Sequence, residues 1–115
     1  MLDTLNISYK TEVYSPHNSI IIGKKRRVDV VICDNDDNHL MHIECKNQNT
    51  TGSAEDKLFR AVSEAERDKQ LGIPSIIVFA GHGWSVHNAR YAMMNGAIRI
   101  EILKDWLGLY FNYNK

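Results

Sequence analysis

Asp29, Glu44 and Lys46 bring two carboxylates and an amine together at a spacing suited to catalysis. Asp29 sits in the run Arg26–Cys33 and Glu44 in the run Leu40–Lys46. Both runs read as strands, joined by the turn-rich segment Asp34-Asn35-Asp36-Asp37-Asn38. With the turn centred between Asp36 and Asp37, Val28 faces Cys45, Val30 faces Ile43 and Ile32 faces Met41, giving one apolar, core-facing surface. The opposite surface then carries Asp29 across from Glu44, Arg27 across from Lys46, and Val31 across from His42. A register slipped by one residue would set Asp29 among apolar side chains, and burying an unpaired carboxylate is costly.

Directly opposed Cβ atoms lie about 4.5–5.5 Å apart, and two ionised carboxylates that close destabilise a sheet. A hard divalent cation removes the penalty, since Mg²⁺ takes carboxylate oxygens at about 2.1 Å and keeps several waters. Lys46 emerges on the same face, within reach of such a water or of a phosphate oxygen. Two acids and a lysine converging on one face suit metal-assisted hydrolysis of a phosphodiester.

These residues carry a resemblance. Arg27-Val28-Asp29-Val30-Val31-Ile32 followed by Ile43-Glu44-Cys45-Lys46-Asn47-Gln48 resembles the active-site hairpin of the PD-(D/E)XK nuclease superfamily. Asp29 matches the first acid, Glu44 the second, Lys46 the lysine, and Gln48 the glutamine that some branches carry. Val28 stands where the motif has proline. Thr51-Gly52-Ser53-Ala54-Glu55-Asp56-Lys57-Leu58 resembles a helix opening in restriction-endonuclease-like members, and the likeness runs from Glu12 to Gly83. The family fold usually opens with a helix, whereas only about eight residues precede the first strand here.

The resemblance implies an α/β fold, a restriction-endonuclease-like mixed β-sheet flanked by helices. It also implies a Mg²⁺-dependent DNA endonuclease, with Mn²⁺ able to substitute, and a restriction-type enzyme as the first choice. A Holliday-junction resolvase or repair nuclease is the runner-up. A non-catalytic DNA-binding or assembly module is the alternative from another class. Asp29 and Glu44 would hold the metal, with the backbone carbonyl of Cys45 a further ligand. Glu12 is either an extra acid or a solvated edge-strand residue. Lys46 would orient or deprotonate the attacking water, and Gln48 would bind a phosphate or position Lys46. Within the cationic run Lys24–Arg27, the residues Lys25, Arg26 and Arg27 are candidates for phosphate contacts. Lys57, near a helix N-terminus and against the dipole preference, is another.

The elements that must position these groups follow from periodicity. Tyr9–Tyr14 reads as a strand, Ser15-Pro16-His17-Asn18 as a turn, and Ser19–Ile22 as a second short strand. Ala54, Leu58, Ala61, Val62 and Ala65 mark a helix from Ser53 to about Gln70, with Ser53 and Asp56 in a capping-box arrangement and Gly72 and Pro74 as stops. Ser75–Ala80 is a continuous apolar run, as expected of a strand buried on both faces. Trp84–Met94 reads as a second helix, Ile98–Ile102 as a last strand, and the tail around Trp106, Leu109 and Phe111 as amphipathic. Strands, helix, buried strand and helix in that order make an α/β sheet domain.

The 115 residues are 43% hydrophobic and 24% charged, the profile of an ordinary globular domain. One domain over residues 1–115 is expected, either a whole protein or a piece of a longer one. A net charge of zero neither suggests nor excludes nucleic acid, because cations can gather on one face. With no secretory signal and no apolar stretch near about 20 residues, a reduced cytoplasmic setting and no membrane are expected. Cys33, His39, His42 and Cys45 invite a zinc reading, but the register puts Cys33 and His42 on one face and His39 and Cys45 on the other. Cys45, facing the core, is no nucleophile. The short opening and the apolar tail point to a homodimer or higher symmetric oligomer.

Overall fold

The computed structural model describes residues 7–18, 25–48 and 55–112. Its elements run β1 (Tyr9–Asn18), β2 (Lys25–Cys33), β3 (His39–Asn47), α1 (Glu55–Gln70), β4 (Ser75–Ala80), α2 (Val86–Met94), β5 (Ile98–Arg99), a short 3₁₀ turn (Ile100–Ile102) and α3 (Leu103–Asn112). The strands form one mixed sheet in the order β1-β2-β3-β4-β5. β1, β2 and β3 pair antiparallel, while β4 and β5 add in parallel. α1 makes the crossover that a parallel β3–β4 pair requires.

Helices cover both faces. On one, Ala61, Val62 and Ala65 of α1 and Ala92 of α2 pack on Ile77 and Phe79 of β4. On the other, Leu103 and Leu107 of α3 pack on Ile32, Met41, Ile43, Ile76 and Val78. β4 therefore needs apolar residues on both sides, which its sequence supplies. Each large side chain so buried contributes roughly 1.5–3 kcal/mol.

The β2–β3 turn is built by Asp34. Its Oδ1 accepts from the backbone N–H groups of Asp36 and Asn38, each at 2.9 Å, and its Oδ2 accepts from Asn38 Nδ2 at 3.0 Å. Those donors, led by the Asn38 side chain, hold the Asp34 carboxyl below the usual range. Asp37 takes the left-handed conformation that closes the turn, with φ 63°.

Some expectations need correction. Ser15–Asn18 continues β1 instead of turning, with the pairing shifting register between Tyr14 and Asn18. The last strand is two residues long, because the chain enters a 3₁₀ turn at Ile100 and then α3. α2 starts at Val86, with the Ser85 hydroxyl accepting from Asn88 N–H as its cap. Ser19–Ile22 and the Ser53 end of the helix lie outside the described residues. Among the described residues, no helix is long and apolar enough to cross a membrane.

Candidate active site

The β2–β3 ladder pairs Val30 with Ile43, Val31 with His42 and Ile32 with Met41, the register expected from the apolar pattern. One step beyond Val30 and Ile43, Asp29 and Glu44 come side by side on the face covered by α1. Asp29 Oδ2 accepts a hydrogen bond from Cys45 N–H at 2.8 Å, so the first acid is tied to the backbone of β3 one residue from the second. Its Oδ1 makes no hydrogen bond among the described residues. Glu44 is buried, at 7% exposure, and its interactions engage it already. Lys46 is half-buried, two residues along the same face, and makes no hydrogen bond or ion pair among the described residues.

Glu12 falls at the register position opposite Asp29, between the pairs Thr11–Val30 and Val13–Val28. It is exposed and left-handed, with φ 53°, which is uncommon for a residue other than glycine. Arg27 is exposed, and its guanidinium carbon lies 5.8 Å from the centre of the Tyr14 ring. Lys25 and Arg26 open β2 and Lys57 sits in the first turn of α1, but their side chains lie outside the described set.

Gln48 is buried and ties down the loop after β4. Its Nε2 donates to Gly83 O at 2.9 Å, its backbone N–H donates to Ala80 O, and Gly83 N–H donates to Gln48 O. Its Oε1 is buried without a partner among the described residues. Arg99 braces the same loop through Nη1 to Gly81 O at 3.0 Å. His82 is exposed in that loop.

Cys45 does not face the core: its side chain is exposed, past the stretch of sheet that α3 covers. Loss of water around the sulfur, followed by the Asp29 and Glu44 carboxylates, pushes the thiol pKa up. A protonated thiol is a poor nucleophile, so the conclusion about reactivity stands on a different cause.

The pattern of residues did not reveal one buried network. His42 Nδ1 lies 3.0 Å from Asp68 Oδ2, with side-chain exposures of 0% and 4%. His42 Nε2 lies 2.8 Å from His39 Nδ1. His39 and His42 were expected on opposite faces; they meet because the register shifts between Ile32 and Cys33, so that Cys33 pairs with His39. The available signal was Asp68 itself, an acid three residues after Ala65 on the buried stripe of α1, where only a paired carboxylate is tolerated.

A family model described as a PD-(D/E)XK nuclease superfamily domain matches residues 2–101. The chain belongs to the PD-(D/E)XK nuclease superfamily. The mixed sheet with helices on both faces is the α/β, restriction-endonuclease-like fold of that family. No curated protein and no solved structure matches the chain significantly. Nuclease activity is therefore the family's contribution, and the assignment of individual residues depends on the geometry described above.

Proposed function

We propose that this superfamily member is a Mg²⁺-dependent DNA endonuclease, with Asp29, Glu44 and Lys46 as its working residues. The observation that supports the reading is the β2–β3 register, whose pairs Ile32–Met41 to Val30–Ile43 make Asp29 and Glu44 the next residues in line, with Lys46 making no hydrogen bond or ion pair among the described residues. The donor chemistry fits a hard divalent cation: two carboxylates, one with an oxygen that makes no hydrogen bond among the described residues, and no group of three His, Cys, Asp or Glu among those residues that would favour a closed structural site. Mg²⁺ or Mn²⁺ held there would polarise the scissile phosphate and acidify a water.

The remaining steps belong to the chain. Asp29, fixed by Cys45 N–H through Oδ2, would hold the cation through its other oxygen. Lys46 orients the attacking water and meets the negative charge that develops on the phosphoryl oxygens, a contribution of roughly 10²–10³-fold for one such group. The Cys45 carbonyl and Glu12 are further candidates for the metal's shell. Arg27 meets the substrate backbone, with Lys25, Arg26 and Lys57 as candidates for the same task. Gln48 acts at a distance by holding the Gly81–Ser85 loop at the edge of the site.

A restriction-type enzyme remains the first choice within the class, with a junction resolvase or repair nuclease second. Incubation with plasmid, four-way junction and single-stranded DNA, in Mg²⁺ and in EDTA, tests both. Cleavage of a defined duplex site supports the first and junction resolution the second. No metal-dependent cleavage of any of them leaves the non-catalytic module.

Cutting both strands of a duplex favours two sites related by a two-fold axis. Trp106 and Phe111 pack partly against the chain's own core. Leu109, Tyr110, Ile100 and Ile102 nevertheless stay exposed, at 66%, 49%, 38% and 51%. A homodimer through this surface is the expected state, and a 13.2 kDa monomer in sedimentation equilibrium would refute it.

A further inference from the structure

His39, His42 and Asp68 take no part in the chemistry proposed above, yet they form a buried polar chain that ends at a depression. A carboxylate accepts, so His42 Nδ1 donates to Asp68 Oδ2. His42 Nε2 and His39 Nδ1 share one proton, with the donor set by the tautomer. His39 Nε2, on the far side of its ring, is a further hydrogen-bonding group, donor or acceptor according to that tautomer. Burial, then His42 and then Lys10, lower the His39 pKa, which keeps the ring neutral at physiological pH. Two imidazoles that share a proton in this way are not arranged around a metal, and no three-residue ligand group exists among the described residues.

The depression has a volume of about 490 Å³, within the range of small-molecule sites. Besides His39 its walls include Tyr14, Ser15, Pro16, Asp37 and Ile73. Tyr14, 59% exposed, together with Pro16 and Ile73, supplies flat apolar surface. His39 Nε2 supplies a hydrogen-bonding group, and the Asp37 carboxylate, paired through Oδ1 with Lys10 at 2.9 Å, adds acceptor capacity. A planar ring that both donates and accepts hydrogen bonds matches that combination. Tyr14 also stacks against Arg27, which places the aromatic wall beside a cation proposed to meet the substrate backbone.

We infer that this depression binds a nucleobase, taken from an unpaired nucleotide of the substrate strand whose phosphates lie along Arg27. The inference rests on the nuclease reading. Unstacking costs least where a base is already bulged or mismatched, so such substrates are the favoured ones. Stacking on Tyr14 and the hydrogen bond to His39 hold the extruded base.

The test uses the whole chain in EDTA, so that binding is read without cleavage. Duplexes carry 2-aminopurine either fully paired or as a single bulged nucleotide, and free 2-aminopurine deoxyriboside serves as a third probe. The bulged duplex is expected to bind roughly tenfold or more tightly than the paired one, the scale of one base–aromatic stack, with its fluorescence quenched. Tyr14→Ala should abolish that preference, Tyr14→Phe should restore it, and His39→Ala should weaken it. Because His39→Ala leaves His42 Nε2 without its partner, its fold is checked by circular dichroism. The exposed Tyr14 pair carries the test even if that variant fails to fold. Equal binding of both duplexes, or a preference that survives Tyr14→Ala, overturns the inference. Free deoxyriboside binding as tightly as the bulged duplex overturns the assignment to the strand. If no DNA is cut in Mg²⁺ while the bulge preference persists, the nuclease reading fails and the nucleobase site stands. Cleavage without any bulge preference is the reverse outcome.

Discussion

Asp29 has two jobs, and replacing it by Asn and by Ala separates them. Oδ2 accepts from Cys45 N–H at 2.8 Å, while Oδ1 makes no hydrogen bond among the described residues. Asn keeps an oxygen acceptor for Cys45 and loses the charge; Ala loses both. A hydrogen bond to a charged group is worth about 1.5–3 kcal/mol and a neutral one about 0.5–1.5, so Asn forfeits about 1 kcal/mol there. Against that, relief of the like-charge opposition to Glu44 returns roughly 0.2–1 kcal/mol. In EDTA, Asp29→Asn should therefore unfold within about 1 kcal/mol of the native chain. Asp29→Ala leaves Cys45 N–H without its acceptor and should fall a further 1 kcal/mol or so, about 4 °C in melting temperature for a domain of this size. Mg²⁺ should stabilise the native chain by mass action, by about 2.7 kcal/mol at a hundred times its dissociation constant, with a corresponding rise in melting temperature. Neither variant should show that rise, and both should cleave plasmid roughly 10²-fold or more slowly. Thermal melts with and without Mg²⁺, alongside a nicking assay, read all three effects. An Asn variant that keeps the Mg²⁺ rise would refute the role of Asp29, and one that melts with the Ala variant would refute the role of its hydrogen bond.

Lys46→Ala should cut cleavage by roughly 10²-fold while leaving the melting temperature within about 2 °C, because the ammonium makes no hydrogen bond or ion pair among the described residues; a variant with native turnover removes the lysine from the mechanism. Glu12→Gly should change stability by less than about 0.5 kcal/mol, since relief of the left-handed strain offsets the added freedom of the unfolded chain. The same variant should lose roughly tenfold in apparent Mg²⁺ affinity, read from the metal dependence of cleavage, and an unchanged dependence would leave Glu12 a solvated edge residue.

Most of the fold was legible because burial leaves a period in the sequence. Val28, Val30 and Ile32 against Met41 and Ile43 set the register, and the unbroken Ser75–Ala80 run announced a strand covered on both sides. The failures have local causes. Pro16 and Asn18 favour turns, yet β1 runs through them at the sheet edge, where a missing N–H costs no ladder bond. Ile98–Ile102 alternates like a strand, but capture of Ile98 and Arg99 by β4 is followed at once by α3 packing through Leu103. At the site, the Asp29–Glu44 opposition could be read from spacing. The His39–His42–Asp68 chain could not, because it depends on a register shift and on which turn of α1 lies over β3.

The row formed by Glu12, Asp29 and Glu44 gathers the local conflicts of the sheet. β1, β2 and β3 each contribute one carboxylate at the same level, and one of these residues adopts a backbone conformation that costs of order 1 kcal/mol or more. Elsewhere the described charges are placed at low cost: Lys10 pairs with Asp37 and Arg99 with Glu101 near the surface, while the buried His42 has Asp68. A sheet selected only to fold would lose one acid of the row and gain stability. The cation proposed here reverses the sign of that balance, converting mutual repulsion into shared attraction. The Cys45 N–H bond to Asp29 contributes to the same end, since it holds the first acid in place before any metal arrives and lowers the reorganisation needed to bind one. Lys46, which makes no hydrogen bond or ion pair among the described residues, is then available to a substrate in the reading proposed here.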